Sequence, residues 1–234
     1  MFIGDSIYDE DFCILEFIPK MHADLCDKIL NCAMKEFAIH GIVAVRMDDV
    51  AAKLSISKRT LYETFSNKEE LLMAGILRHE HRMLKYMQVV TEQGENVMEI
   101  VMKFYHYKVE EFRHTNPKFY EDIDKYPRVK QYLSNKGDKH REKSLEFFNK
   151  GVKQGLFRKD VNYRIVNIML EVQITYLMST DVHKQFSYAD MFESITMVEM
   201  RGVCTTKGMH CLERLLERIK TESFDCPPGL FLNE

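Results

Sequence analysis

Apolar residues recur at helical spacing along most of this chain, and the spacing predicts a series of amphipathic α-helices. The first helix spans about 25–40, where apolar residues return every four positions until Gly41 favours a stop. A second, much shorter pattern covers 47–54. Ser57 suits the N-cap of a third helix of about eight residues. Because helices this short do not fold alone, the first three are expected to form one small cluster.

The same periodicity continues through the rest of the chain. A fourth helix is predicted to begin after an N-cap on Ser66 or Asn67, with Gly94 interrupting it later. Helices over 95–113 and 163–179 are apolar around most of their circumference, which predicts a central position in a bundle. Strand-like alternation is lacking, so the fold class predicted is all-α. Further helices are expected over 117–125, 128–153 and, as a pair, 188–222.

Composition agrees with a helical protein that has a substantial core. The 234 residues include 10 Gly and 5 Pro and are 45% hydrophobic, which is enough for one large or two small domains. No apolar run approaches the roughly 20 residues of a membrane-spanning helix, and no signal-peptide pattern opens the chain. Six cysteines occur without a CxxC pair. We therefore expect a soluble, cytoplasmic protein with reduced thiols and no membrane association.

Charge is unevenly placed along the chain. The formal net charge is −3, yet residues 1–20 alone carry five acidic side chains and one lysine. This segment is predicted to be an acidic N-terminal extension, without packed structure, and Met21 is a candidate for the true initiator. The tail at 226–234, which contains Pro227 and Pro228, is predicted to be loose.

The segment most informative about function is LSISKRTLYETFSNKEELL, residues 54–72, preceded by MDDVAAKL from Met47. Two short helices joined by a tight turn form a helix-turn-helix arrangement. The string resembles the DNA-binding domain of the tetracycline-repressor (TetR) family of bacterial transcriptional regulators. The positions that match the family pattern are Gly41, Val50, Ala51, Ile56, Ser57, Leu61, Tyr62, Phe65, Lys68, Glu69 and Leu71.

The resemblance implies a two-domain regulator without a cofactor. Residues 21–73 would form a three-helix DNA-binding domain, and residues 74–225 a larger helical domain that binds a small molecule and forms a homodimer. The recognition helix, at about 58–65, would enter the major groove of a palindromic double-stranded DNA operator. Repression released by an unknown small-molecule effector is the family's common behaviour, and the protein is then not an enzyme.

Two positions depart from the family pattern. Arg46 stands before the second helix, where the family has Ser or Thr, and an arginine side chain has no acceptor with which to cap a helix. Ser55 stands in the turn, where the family usually has Gly. These changes are expected to affect stability more than DNA affinity, because an arginine can still reach a phosphate.

Position in the motif predicts which side chains contact DNA. Lys58 and Arg59 open the recognition helix, where a cation opposes the macrodipole, and a residue choice that breaks a local rule indicates function. Glu63 is assigned either to a cytosine amino group or to holding Arg59 at i+4. A solvated surface is the alternative for each charge taken singly. The predicted DNA-binding residues are Arg46, Lys58, Arg59, Thr60, Tyr62, Glu63, Thr64 and Lys68.

Candidate effector contacts lie on the two most apolar helices of the larger domain. Ordinary core packing is the stronger alternative for each apolar side chain among them, and Glu171 is expected to face solvent, a basic partner, the dimer seam or a ligand. The candidates are Phe104, Tyr105, Tyr107, Phe112, Met169, Glu171 and Tyr176. The dimer seam is predicted within 163–220, on stripes formed by Met191, Ile195, Val198, Leu212, Leu215, Leu216 and Ile219.

Two other classes of protein were weighed. An enzyme would need a recognisable site, but the sequence has no P-loop, GxGxxG, HExxH or nucleophile elbow. His79 with His81, and the Cys204, His210 and Cys211 group, have poor spacing for metal ligands, so no metal is expected. A helical interaction protein that has the TetR-like fold but has lost DNA binding is the remaining alternative, and salt-dependent DNA affinity discriminates it.

Overall fold

The computed structural model describes residues 23–92, 96–135 and 137–221. The acidic extension, Met21, Gly94 and the tail at 226–234 lie outside the described residues. The described chain is all-α, as predicted, with an isolated antiparallel bridge between Phe157 and Cys204. The helices are α1 (Ala23–His40), α2 (Met47–Lys53), α3 (Lys58–Thr64), α4 (Lys68–Glu92), α5 (Val97–His114), α6 (Pro117–Asp122), α7 (Pro127–Asn135), α8 (Gly137–Lys153), α9 (Tyr163–Ser179), α10 (Tyr188–Val203) and α11 (Thr206–Thr221), with 3₁₀ turns at Ile123–Lys125 and Asp181–Lys184.

Side-chain caps define many helix starts. The Ser57 hydroxyl accepts the Thr60 N–H at 3.0 Å, which confirms the predicted N-cap of α3. Of the two candidates for α4, Asn67 is the cap, because its Oδ1 accepts the Glu70 N–H at 2.9 Å. Gly41 ends α1 with φ +84°, a left-handed conformation that glycine adopts without strain.

The N-terminal hydrophobic core extends beyond the helix-turn-helix. Its centre contains Phe37, Leu61 and Phe65, which are all fully buried. Phe119 of α6 and Val129 of α7 belong to the same cluster, although they are more than 40 residues further along the chain than the predicted boundary at 73. The first three helices are therefore packed together with α6 and α7, which belong to the segment predicted as the larger domain.

The second core holds the C-terminal helices together. Met98 and Met102 of α5 lie at its centre, packed against residues of α8, α10 and α11. Leu212 and Leu215 of α11 are buried in this cluster. The prediction that they lie on a dimer seam is therefore wrong, because the apolar stripe of α11 is covered by its own chain.

Helix α9 differs from its prediction in another way. Helix α9 is not central, because one of its two apolar stripes is exposed to solvent in the single chain. Periodicity identifies apolar faces but not the partner that covers each of them. The single helix expected over 128–153 corresponds to the described segments α7 and α8, on either side of residue 136.

No helix of the described residues is long and apolar enough to cross a membrane. The same part of the chain contains no group of three or more His, Cys, Asp or Glu side chains arranged to hold a metal ion.

Candidate DNA-binding surface and effector domain

The turn between α2 and α3 closes α2 with a Schellman motif. The Ile56 N–H donates to the Ala51 carbonyl at 3.0 Å, and the Ser55 N–H donates to the Ala52 carbonyl at 3.1 Å. This motif needs a left-handed residue, and Ser55 adopts φ 54° to supply it. The serine thus occupies a conformation that glycine would hold with less strain, as expected from its departure from the family pattern.

The start of α2 lacks a side-chain cap from Arg46. The Asp49 carboxylate instead reaches back and accepts the Arg46 N–H at 2.9 Å. One half of a capping box is therefore present without the other half. Arg46 itself is exposed at the start of α2.

Charged side chains at the exposed face of α3 are held by neighbours. Lys58 forms an ion pair with Asp48 of α2, and this hydrogen bond raises the pKa of the Lys58 ammonium. Arg59 Nε donates to Glu63 Oε1 at 2.7 Å, the i+4 pair that was one of two predicted roles of Glu63. Both pairs are solvent-exposed, so each contributes little stability and exchanges partners easily.

The other side chains of α3 divide into bound hydroxyls and one exposed ring. The Thr60 hydroxyl bonds to the Ser57 hydroxyl at 2.7 Å, and the Thr64 hydroxyl donates to the Thr60 carbonyl at 2.9 Å. Tyr62 is 47% exposed, so about half of its surface faces solvent. The recognition helix thus presents a free aromatic ring between charged neighbours.

Lys68 is engaged within the protein. Its ammonium donates to the carbonyls of Ile42 at 3.0 Å and Val43 at 3.3 Å, and burial lowers its pKa. These bonds hold the start of α4 against the α1–α2 loop. An ammonium has three N–H donors, so one remains for the predicted phosphate contact.

Helix α6 and the Asn116 residue that caps it bind the end of α1 and the α1–α2 loop. The Asp122 carboxylate accepts the Val43 N–H at 2.8 Å. The Asn116 backbone N–H donates to the Ala38 carbonyl at 2.8 Å, and the Asn116 side chain donates to the Ile39 carbonyl at 3.0 Å. We call these three hydrogen bonds the α6 clamp. Sequence analysis missed it because its partners lie about 80 residues apart.

A buried polar cluster joins α4 to α5. His79 lies 3.3 Å from the Glu111 carboxylate and within 3.3 Å of the Tyr107 hydroxyl, and Lys108 also pairs with Glu111. Burial lowers the pKa of His79, although the Glu111 hydrogen bond opposes that shift. Burial alone would raise the pKa of Glu111, but Lys108 and His79 outweigh it and lower the pKa to about 2. Of the predicted effector contacts, Tyr107 is therefore committed to this cluster.

Predicted effector contacts on α5 meet aromatic residues that sequence analysis missed. The Phe112 ring lies 5.4 Å from Tyr120 of α6, 6.1 Å from Tyr188 of α10 and 5.5 Å from Phe192. Tyr105 stacks on Phe192 at 6.3 Å, and Phe104 is half-buried on the same helix. We call the cluster of Tyr105, Phe112, Tyr120, Tyr188 and Phe192 the aromatic cluster.

Two tyrosine hydroxyls of the aromatic cluster are buried without a hydrogen-bond partner among the described residues. The Tyr188 and Tyr120 hydroxyls are buried, and neither makes a hydrogen bond of normal geometry with a described residue, although Thr115 lies near Tyr120. Buried polar groups are nearly always hydrogen-bonded in native proteins. The only sequence signal for these residues was that each lies in an aromatic-rich helix.

The remaining effector candidates lie on α9 and are not interior. Met169 is 50% exposed and Tyr176 is 60% exposed in the single chain, and their contact with an effector stays a prediction. Glu171 is half-buried on the same helix. Exposed apolar residues at i, i+3, i+4, i+7 and i+11 form a continuous stripe, which we call the α9 stripe: Ile165, Ile168, Met169, Val172 and Tyr176.

Comparison with known proteins finds similarity to transcriptional regulators. Residues 29–74 match the model of bacterial regulatory proteins of the tetR family. The HTH-type transcriptional repressor KstR2 of Mycobacterium tuberculosis is 26% identical over 148 residues, which is 59% of this chain and 72% of the repressor.

Solved structures show the same fold. The TetR family protein CprB from S. coelicolor A3(2) superposes with a TM-score of 0.60 at 16% identity, covering 85% of this chain and 97% of CprB. A gamma-butyrolactone receptor superposes with a TM-score of 0.58 at 16% identity, covering 84% of this chain and 96% of the receptor. The helix-turn-helix of α2 and α3 lies within residues 29–74, and this segment is similar to bacterial regulatory proteins of the tetR family.

Proposed function

We propose that this protein is a dimeric repressor that binds a palindromic operator through α3 and is released by a small apolar effector. The observation that carries this proposal is the exposed face of α3, where Lys58, Arg59 and Tyr62 stand together on a helix anchored by Leu61 and Phe65. A rigid core behind a cationic and aromatic face is what major-groove reading requires.

The ion pairs of α3 suggest which of its side chains would contact DNA phosphates or bases. Lys58 and Arg59 are each held by a carboxylate that DNA phosphates or guanine edges would replace. Glu63 then either releases Arg59 to the DNA or orients it toward a base. Tyr62 faces the groove with its ring, while Thr60 and Thr64 offer methyl groups because their hydroxyls are bound to their own helix.

DNA binding is tested by fluorescence anisotropy on a fragment of the protein's own promoter at two salt concentrations. The wild type should bind more weakly at the higher salt, since each phosphate contact releases counterions. A Lys58→Ala/Tyr62→Ala double variant should lose about 1–3 kcal/mol for each base contact removed. Lys159→Ala, an exposed lysine in the other domain, serves as the control. Salt-independent or unchanged binding in the double variant would favour the interaction-protein alternative.

The α9 stripe supports a homodimer. Its five residues are each at least half exposed, and Val198 of the neighbouring helix α10 is 73% exposed. A hydrogen bond between Gln173 and Glu199, at 2.8 Å, holds the two helices side by side. An apolar surface of this length on one chain is typical of an association site. We infer that two copies of α9 and α10 pack against each other.

Sedimentation of two variants tests the dimer. Val172→Glu places a charge in the middle of the α9 stripe and should produce a monomer at micromolar concentration. Val89→Glu alters an exposed valine of α4 with 49% exposure and should remain dimeric. If both variants sediment as dimers, the α9 stripe is not the dimer surface.

The aromatic cluster supports an effector site between α5, α6 and α10. Its two unpaired hydroxyls are donors that an acceptor oxygen on an apolar ligand would satisfy. Tyr120 belongs to α6, whose clamp holds the α1–α2 loop, so a ligand that displaces Tyr120 also moves Asp122 and Asn116. The effector would then favour a domain arrangement that no longer fits the operator.

A gamma-butyrolactone is the first probe, because one structural neighbour is a receptor for this class. It should release the wild type from operator DNA in the anisotropy assay. Tyr188→Phe removes one hydroxyl while keeping the ring, and should retain DNA binding but lose most of the response. A full response in Tyr188→Phe would place the effector elsewhere.

A further inference from the structure

A cleft lies at the opposite end of α5 from the aromatic cluster. It has a volume of about 650 Å³ and is formed by the start of α5, the turn after α8 and the first half of α11. Pockets of 300–1,000 Å³ are the usual size for small-molecule sites. The residues that line it are Asn96, Gln154, Leu156, Lys207, His210, Cys211 and Arg214.

The polar groups of this cleft are almost all donors. Lys207, His210 and Arg214 follow one another at i, i+3 and i+7, so they share one face of α11. None of the seven lining residues is acidic. A basic face that converges on a concave surface attracts anions, because the low-dielectric walls focus its field.

The two side-chain amides of the cleft both direct their oxygen atoms to backbone N–H groups at the start of α5. The Asn96 side-chain oxygen accepts the Glu99 N–H at 3.1 Å, and the Gln154 side-chain oxygen accepts the Val97 N–H at 3.0 Å. Because both oxygens are used at the start of α5, each side chain has its NH₂ group to offer a ligand. Lys207 is held across the cleft by its hydrogen bond to the Gln154 carbonyl at 3.0 Å.

The geometry points to a binding site for a small oxyanion in this cleft, with Arg214 as the principal anchor. A guanidinium can donate two parallel hydrogen bonds to a carboxylate or phosphate, and the amide NH₂ groups and His210 can donate to further oxygens. Leu156 and Cys211 supply a small apolar surface for the body of the ligand. Phosphate esters and polycarboxylates share this chemistry. The site does not depend on the effector proposed for the aromatic cluster.

Isothermal titration calorimetry on the full chain, without DNA and at constant ionic strength, tests the site. The probes are inorganic phosphate and citrate, and the variant is Arg214→Gln. The matched control is Lys159→Gln, which removes an exposed positive charge outside the cleft. Circular dichroism checks that both variants keep their helical content.

We expect saturable one-to-one binding of at least one probe in the wild type and the control, weakened tenfold or more in Arg214→Gln. Binding of phosphate alone would assign the site to phosphate esters, and binding of citrate alone to polycarboxylates. Absence of binding heat for both probes, or equal affinity in Arg214→Gln, would overturn the proposal.

Discussion

Replacing Ser55 with glycine should stabilise this protein, although the substitution adds no contact. The residue occupies the left-handed position of the Schellman motif that ends α2, with φ 54°. For a residue with a Cβ this conformation costs roughly 1–2 kcal/mol. Glycine removes that strain. It also makes the unfolded chain more flexible, and this entropy cancels about 0.5–1 kcal/mol of the stabilisation. The net gain in the free energy of unfolding is therefore about 0.7 kcal/mol, within a range of about 0–1.5 kcal/mol.

Urea unfolding followed by circular dichroism at 222 nm measures this gain, and a thermal melt should rise by about 1–4 °C. Ser55→Ala is the matched control, because it removes the hydroxyl and keeps the Cβ, and it should be no more stable than the wild type. Equal stability of Ser55→Gly and Ser55→Ala would refute the strain argument. Operator affinity should be retained in the glycine variant, since Ser55 lies in the turn rather than on the reading face.

Three further predictions concern contacts between different helices. Gly41→Ala should destabilise the protein by about 2 kcal/mol or more, because Gly41 has φ +84° and an added Cβ would lie 2.8 Å from the Lys118 Cβ. An unchanged midpoint of urea unfolding would contradict this. Asp122→Ala leaves the Val43 N–H without its acceptor and should lower the free energy of unfolding by about 1–3 kcal/mol, whereas a loss below 0.5 kcal/mol would show that the α6 clamp contributes little. Stability should fall as the pH is lowered from about 6.5 to about 2, since the pKa values of His79 and Glu111 both lie below their unfolded values and the unfolded chain binds more protons. Urea titrations at stepwise pH should show a flatter acid limb in Glu111→Gln.

Local features of the fold were largely predictable from the sequence. Periodic apolar residues, Gly41 and the Ser57 cap mark helix ends through interactions within a few residues, and these do not require knowledge of the rest of the chain. The strained turn was also visible in the sequence, because Ser55 stands where the family pattern usually has Gly. DNA-binding assignments on α3 remain predictions, although the Arg59–Glu63 pair expected at i+4 is present.

Long-range features were not predictable in the same way. Two apolar stripes on one helix do not reveal which is covered by the same chain, so α9 was assigned to the interior and α11 to the seam. Lys68 illustrates a related difficulty, since a surface lysine in a motif can also bind carbonyls of a neighbouring loop. The α6 clamp and the aromatic cluster depend on helices that only the folded chain brings together.

The shared N-terminal core limits how this protein can be divided. Because Phe119 and Val129 complete the cluster around Phe37, a fragment ending near residue 73 would expose apolar surface that the full chain covers. Such a fragment should aggregate or remain partly unfolded. Chimaeric regulators built from this protein would therefore need to exchange the segment 116–133 together with the first four helices. The first four helices and residues 116–133 are expected to evolve together, since a change of side-chain volume on one side of their contact must be matched on the other.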